Sequence, residues 1–350
     1  MTSKRYPVKK ALSIISACLS LSMLSRGQDV HFTQYFASPL TLNPALTGLS
    51  ECDFRLAANF RSQWYSVSGN PYTTGSFSYD MKTMEGRLDN GDAIGIGVLG
   101  VFDRAGQGAL QQINIGVSLA YHKALGQDRR HTLSLGIQGA LVQKKLDFSR
   151  LTFNDQYLGG IAGQATAESP GNADMSYPDF NAGLMYSGRI APGATGYAGF
   201  SAYHITQPAE TFLGGGNRIN ARYAGYIGSA ISLGETMELY LSGLYQRQGA
   251  SEELTGGVAL GFILSNSNKA EEERRDAMLS LGGWYRAGDA VSPYISLKWS
   301  QVQVGISYDA GISGFNPATN GNSAYELSVI FNGCINRFPK DPRRVTCPRF

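Results

Sequence analysis

The chain has 350 residues, enough for one large domain or two medium ones. Only 16% of them are charged, against about 25% in soluble globular chains, while glycine reaches 43 residues, tyrosine 19 and phenylalanine 16. Five of the 30 basic residues (Lys4, Arg5, Lys9, Lys10, Arg26) and no acid lie in residues 1–27; the remaining 25 face 27 acids, a balance of −2 that gives no reason to expect nucleic acid as a partner.

Residues 1–27 read as an export signal. A basic start leads into an uncharged apolar run over 11–25, with small residues Ser25 and Gly27 at the spacing a signal peptidase reads. Ile15-Ser16-Ala17-Cys18 also fits a lipoprotein box, but the residues after Cys18 stay apolar. The processed chain is expected to start near Gln28.

Residues 28–50 carry too few charges for a solvated linker and too many breakers for a long helix. Pro39, Pro44 and Gly48 fall at short intervals, and a proline biases the residue before it away from the helical region. An extended, turning segment is expected, either packed as an arm or filling a lumen as a hatch.

From residue 51 to 336 the chain alternates apolar and polar at period two, as strands with two different faces do. Phe54, Leu56, Ala58 and Phe60 oppose Arg55, Asn59, Arg61 and Gln63. Ile113, Ile115, Val117, Leu119 and Tyr121 oppose Gln112, Asn114, Ser118 and His122. Leu133, Leu135, Ile137 and Leu141 oppose Thr132, Ser134 and Gln138. Val302, Val304, Ile306 and Tyr308 oppose Gln303, Gly305, Ser307 and Asp309. Weaker examples cover 72–82, 92–102, 179–189, 195–205, 222–234, 236–247, 252–265, 277–286 and 291–299, and a last one runs through Tyr325 and Phe331. No later apolar run approaches the ~20 residues of a spanning helix. About fourteen antiparallel strands closing as a transmembrane outer-membrane β-barrel is the expected fold. A soluble β-sandwich is the alternative, and no propeller period of roughly 40–50 residues appears.

Loop lengths agree with the barrel. The long connections near 145–177, 206–221 and 313–322 all fall on one side, and short ones such as 234–236 and 299–301 on the other. The charged stretch 266–276 breaks the trend. Residues 337–350 are expected to form a periplasmic tail.

Chemistry is sparse. Gly95, Gly97 and Gly100 match the dinucleotide pattern, but they lie inside an alternating strand with no helix to follow. His31, His122, His131 and His204 have no metal-ligand spacing; His122 and His131 flank one turn and read as surface or interface residues. No catalytic, metal or cofactor site is expected. Arg55 and Arg61 face the bore and are expected to pair with acids across it. Cys334 and Cys347 close a short loop and form the easiest disulfide, leaving Cys52 odd; a bridge from Cys52 to the tail is the other reading.

Gln28, Asp29, Phe32, Gln34, Tyr35, Pro39, Leu40, Asn43, Pro44, Ala45 and Gly48 resemble the N-terminus of the PorP/SprF family, whose segment reads approximately Q-D-P-x-F-S-Q-Y, then N-P-L, then N-P-A-Y-A-G. The chain departs from it at Val30, Thr33, Ser38, Leu46 and Thr47. Asn59 to Trp64 with Pro71-Tyr72-Thr73-Thr74, Gly199 to Pro208, and Cys347-Pro348-Arg349-Phe350 resemble three further family blocks, in order. The resemblance implies an outer-membrane barrel of the type IX secretion and gliding machinery, without catalytic activity. It implies periplasmic ring or motor partners, including peptidoglycan-linked lipoproteins, or the C-terminal signal domain of a secreted adhesin. It marks Gln34, Tyr35, Asn43, Pro44, Gly48, Arg61, Gln63, Trp64, His204, Gln207 and Pro208 as structural or partner-binding. Asn43-Pro44-Ala45 beside some fourteen strands also looks like the fatty-acid transporter family, in which a hatch gates hydrophobic solutes.

Overall fold

The computed structural model describes residues 29–50, 52–66, 71–84, 87–88, 91–106, 110–151, 174–211, 216–267, 274–314, 319 and 321–334. The expected signal, the tail over 337–350, Cys347, the tip of the 145–177 connection and the middle of 266–276 lie outside them.

Alternation becomes strand at every expected place. The fourteen are β1 (Phe54–Gln63), β2 (Tyr72–Thr83), β3 (Ala93–Ala105), β4 (Leu110–Leu125), β5 (His131–Lys145), β6 (Asp174–Ala191), β7 (Ala194–Tyr203), β8 (Arg222–Ser232), β9 (Met237–Gln248), β10 (Ser251–Ser267), β11 (Arg274–Arg286), β12 (Ala290–Trp299), β13 (Val302–Gly311) and β14 (Asn322–Gly333). Each pairs antiparallel with its neighbours in sequence, and β1 pairs β14 from Phe54↔Gly333 to Gln63↔Ala324, so the sheet closes and has no free edge. The charged 266–276 stretch is shorter as a connection than expected. Asn266↔Arg275 and Ser267↔Arg274 belong to the β10–β11 ladder.

The two rows of side chains have opposite environments. Ile115, Val117, Ile137 and Ile227 are each more than 60% exposed and belong to a continuous apolar outer wall. Ser118, Ser134, Gln138 and Asp179 on the inner row are buried. An exposed apolar surface all the way round is the signature of lipid contact. Outward Tyr72, Tyr223, Tyr245, Tyr285 and Tyr325 ring one end, and outward Tyr121, Tyr186 and Trp299 mark the other, as interfacial aromatic girdles do. The long connections 145–174 and 203–222 leave the first end; tight turns at 191–194 and 299–302 close the second.

Residues 29–50 run inside the cylinder as a plug. They are not simply extended. Two 3-10 turns, Tyr35–Ala37 and Pro44–Leu46, flank a single helical turn, α1 (Pro39–Leu42). Each proline takes the first helical position, where a missing N–H costs nothing, while Ser38 and Asn43 before them keep non-helical backbone. Asn43 Oδ1 accepts from Ala45 N at 2.8 Å and caps the last turn.

The disulfide differs from the expected Cys334–Cys347 pair. Cys52 bonds Cys334, with Cα atoms 4.6 Å apart. The two lie just beyond the first paired residues of β1 and the last of β14, so barrel closure brings them together despite 282 residues of separation. Proximity in the chain was the wrong guide; the seam decides.

Candidate functional site

The plug meets the inner wall through three polar clusters and one aromatic cluster. The first surrounds Thr33 and Gln34. Arg61, two residues from the end of β1, donates from Nη2 to Asp309 Oδ2 (2.7 Å) and from Nη1 to Glu326 Oε2 (3.2 Å) and Thr33 Oγ1 (2.9 Å). Arg286 Nη2 reaches the same Asp309 oxygen at 2.7 Å. Glu326 then accepts the backbone N–H groups of Thr33 (2.9 Å) and Gln34 (2.8 Å) and the Asn59 amide (3.1 Å). Gln34 donates to Ser307 Oγ at 3.0 Å and accepts from Ser328 Oγ at 2.6 Å. Two cations face two anions, and the two carboxylates also accept from Thr33, Gln34, Asn59 and Ser292. A buried charge is tolerated where it is paired and hydrogen-bonded in this way.

The second cluster holds the far end of the plug. Arg55 grips Asp80 with two bonds, 3.0 and 2.9 Å, and donates to Leu46 O at 3.0 Å. Asp80 also accepts from Gly48 N at 2.7 Å. His122 bridges Ser134 Oγ (2.7 Å) and Thr47 O (2.8 Å). His122 is fully buried, which overturns the surface half of its surface-or-interface reading: its ring lies in the bore, against the plug, because its strand row faces inward. His131 keeps a rim position, bonding the Tyr186 hydroxyl at 2.8 Å.

The third cluster is at the end with long connections. His204, just past β7, puts Nε2 2.7 Å from Asp29 Oδ2 and Nδ1 3.0 Å from Asp179 Oδ1. Arg222 Nε is 3.3 Å from Asp29, and Gln248 Oε1 accepts Asp29 N at 2.8 Å. Burial would lower the imidazole, but Asp29 and Asp179 override it and hold His204 up at about 9. Burial would raise the Asp29 carboxyl; His204 and Arg222 instead hold it well below the usual carboxylate range.

Between these clusters the bore is packed. Phe36 lies 5.1 Å from the Trp284 ring and 5.6 Å from Tyr294, and Trp284 and Tyr294 meet edge-on at 5.0 Å. Asn43 donates to Leu184 O (3.0 Å) and Phe200 O (3.2 Å), tying the plug to β6 and β7. Two wall glycines make room for the plug, one for its backbone and one for the Asn43 side chain. A Cβ on Gly95 would stand 1.9 Å from Thr47 O, and one on Gly183 1.8 Å from Asn43 Oδ1. Gly95 of the nucleotide-like pattern is thus a contact for the plug.

The residues marked by resemblance therefore separate. Gln34, Tyr35, Asn43, Pro44 and Gly48 are buried plug residues, and Arg61 is the hub of the first cluster. Gln63 and Trp64 end β1 at the rim, where Trp64 takes φ 56° and stacks edge-on against Tyr72 at 4.9 Å. His204 joins the third cluster; Gln207 and Pro208 turn the β7–β8 connection, with Gln207 at φ 46° and Pro208 O accepting from Ile219 N. Sequence reasoning did not single out Asp80, Asp179, Arg222, Arg286 or Glu326. The available signal was an ionised residue on the bore-facing row of a strand otherwise poor in charge.

A family described as "Type IX secretion system membrane protein PorP/SprF" matches residues 24–331. No curated protein matches. Among solved structures, the chain is similar to the P. putida toluene transporter TodX (9% identity, 84% of this chain and 93% of that one, TM-score 0.46). It is also similar to the Ralstonia pickettii toluene transporter TbuX (9% identity, 84% and 91%, TM-score 0.46) and the Acinetobacter baumannii outer membrane protein Omp33 (8% identity, 82% and 100%, TM-score 0.37). With most of its length matched and its strands closed into a lipid-faced cylinder, the chain belongs to the PorP/SprF family of type IX secretion system membrane proteins and is an outer-membrane β-barrel.

Proposed function

We propose that this barrel is a sealed, non-catalytic anchor of the type IX machinery, which keeps a secreted adhesin at the cell surface by binding its C-terminal signal domain on the outer loops. The observation that supports this reading is the plug. It is bonded at both ends and packed in the middle, which leaves the two rims as the working surfaces. The connections 145–174 and 203–222 are the largest elements on the outer rim, and long loops on a rigid scaffold are where binding resides. Periplasmic ring or motor components would meet the opposite rim, with its short turns.

Passage of a hydrophobic solute is the competing reading. It calls for an apolar chamber behind the hatch, and Phe36, Trp284 and Tyr294 occupy that volume. The test is removal of residues 146–173 with a short turn in their place. Barrel assembly, read as heat-modifiable gel mobility, should persist while the adhesin is lost to the medium. Unchanged retention, or a lipid-like ligand co-purifying in stoichiometric amount, rejects the anchor.

A further inference from the structure

The plug has a direction, and the direction places its amino-terminal end. Asp29 is bonded at the end of β9 and the start of β8, where the long connections leave the barrel. Thr33 and Gln34 meet Arg61 and Glu326, still within a few residues of that rim. Asn43 lies against the middle of β6. Thr47 and Gly48 meet His122 and Asp80, near the opposite ends of β4 and β2. Cys52 closes the seam there, and β1 turns back. Residues 29–50 therefore cross the bore once, from the long-loop rim to the short-turn rim.

In outer-membrane barrels the short turns face the periplasm and the long loops face outward. We propose that the amino-terminal end of the plug is a cell-surface element: the chain enters the bore from outside, beside the cleft formed by Asp29, His31, Arg222, Gln246, Gln248 and Glu253. That cleft lies between the β7–β8 and β9–β10 connections, so whatever binds the outer loops meets the start of the plug in the same place. Components on the periplasmic rim have no access to it. The third cluster has a purpose in this arrangement. Asp29, bonded to His204, Arg222 and Gln248, ties the segment ahead of Thr33 to the wall at that rim.

The test is labelling of intact cells by a membrane-impermeant maleimide. One variant carries Gln28→Cys in a Cys347→Ser background; with Cys18 removed in the expected export signal, Cys52 and Cys334 remain and are bonded to each other. A second carries Asp128→Cys, in the exposed β4–β5 turn of the opposite rim, in the same background. Cys at 28 should take up as much label in intact cells as after outer-membrane permeabilisation. Cys at 128 should be labelled only after permeabilisation, with at least a tenfold rise. Label at 28 only after permeabilisation, or in neither state, overturns the proposal, as does label at 128 in intact cells. Heat-modifiable mobility of each variant verifies that the barrel being labelled is folded.

Discussion

Arg61 shows why charge is kept in a bore that could have been apolar. Its guanidinium contacts Asp309 and Glu326, and Glu326 in turn holds two backbone N–H groups of the plug. Stripping water from these ions is costly, and their mutual attraction offsets that cost only while every partner is present. Arg61→Ala leaves two carboxylates facing the single cation Arg286 and should destabilise the fold by about 3–5 kcal/mol. The check is a urea titration in detergent micelles, following the heat-modifiable band. Adding Glu326→Gln to Arg61→Ala should recover part of the loss, because one unanswered charge is gone; additive losses would mean the two residues are not coupled. Sequence placed Arg55 and Arg61 on the inner row and implied acid partners across the bore. It could not say which acids, since Asp309 and Glu326 lie 248 and 265 residues from Arg61 and meet it only when β1 closes on β14.

At the scale of the element, strands and plug were unequally legible. A strand with lipid on one side and bore on the other prints its two environments directly into alternate residues, so every strand appears in the pattern, and only the ends move. β6 begins at Asp174, ahead of the expected 179, because ladder pairing with β5 continues to Lys145↔Asp174. The plug has no such periodicity. Its shape comes from prolines that open helical turns, which the segment shows, and from wall glycines that admit it, which the segment alone does not show. Its outer end carries a titratable tie. His204 stands at about 9 when folded, against an ordinary value of about 6.5. A raised folded value means the stabilisation is complete below the unfolded value and is lost as pH climbs through the folded one. Asp29 is depressed and stays ionised throughout that range; Asp179 is the other charged group facing the ring, and Arg222 pairs with Asp29. Between pH 7 and 9.5 the outer plug should therefore loosen. Limited proteolysis near Asp29 should accelerate with pH in the native chain and be fast and nearly pH-independent in His204→Gln. Equal pH slopes in the two would remove His204 from that role.

The whole molecule is a cylinder whose bore holds part of its own chain, and its function turns on whether that part ever leaves. Fourteen strands enclose more room than the eight of a barrel filled by its own side chains, and fewer than the sixteen to eighteen of open porins. A bore of intermediate width needs a filler if it is not to leak. Residues 29–50 supply one, and its ties are spread from rim to rim, so no single hinge would open it. Without the plug, the exposed lining would include Arg55, Arg61, Asp80, Arg286, Asp309 and Glu326, a polar surface that water enters. Deleting residues 29–50 while keeping Cys52 and its seam bond should convert a barrel with no steady conductance in planar bilayers into one with discrete open steps. The intact chain should stay closed under the same voltage. Steps of the same size in both would show that the plug does not seal the bore, and the anchor reading would give way to transport. Silence in both, from a deletion chain that keeps its heat-modifiable mobility, would mean that wall side chains alone close the bore and that the plug's ties serve the rims.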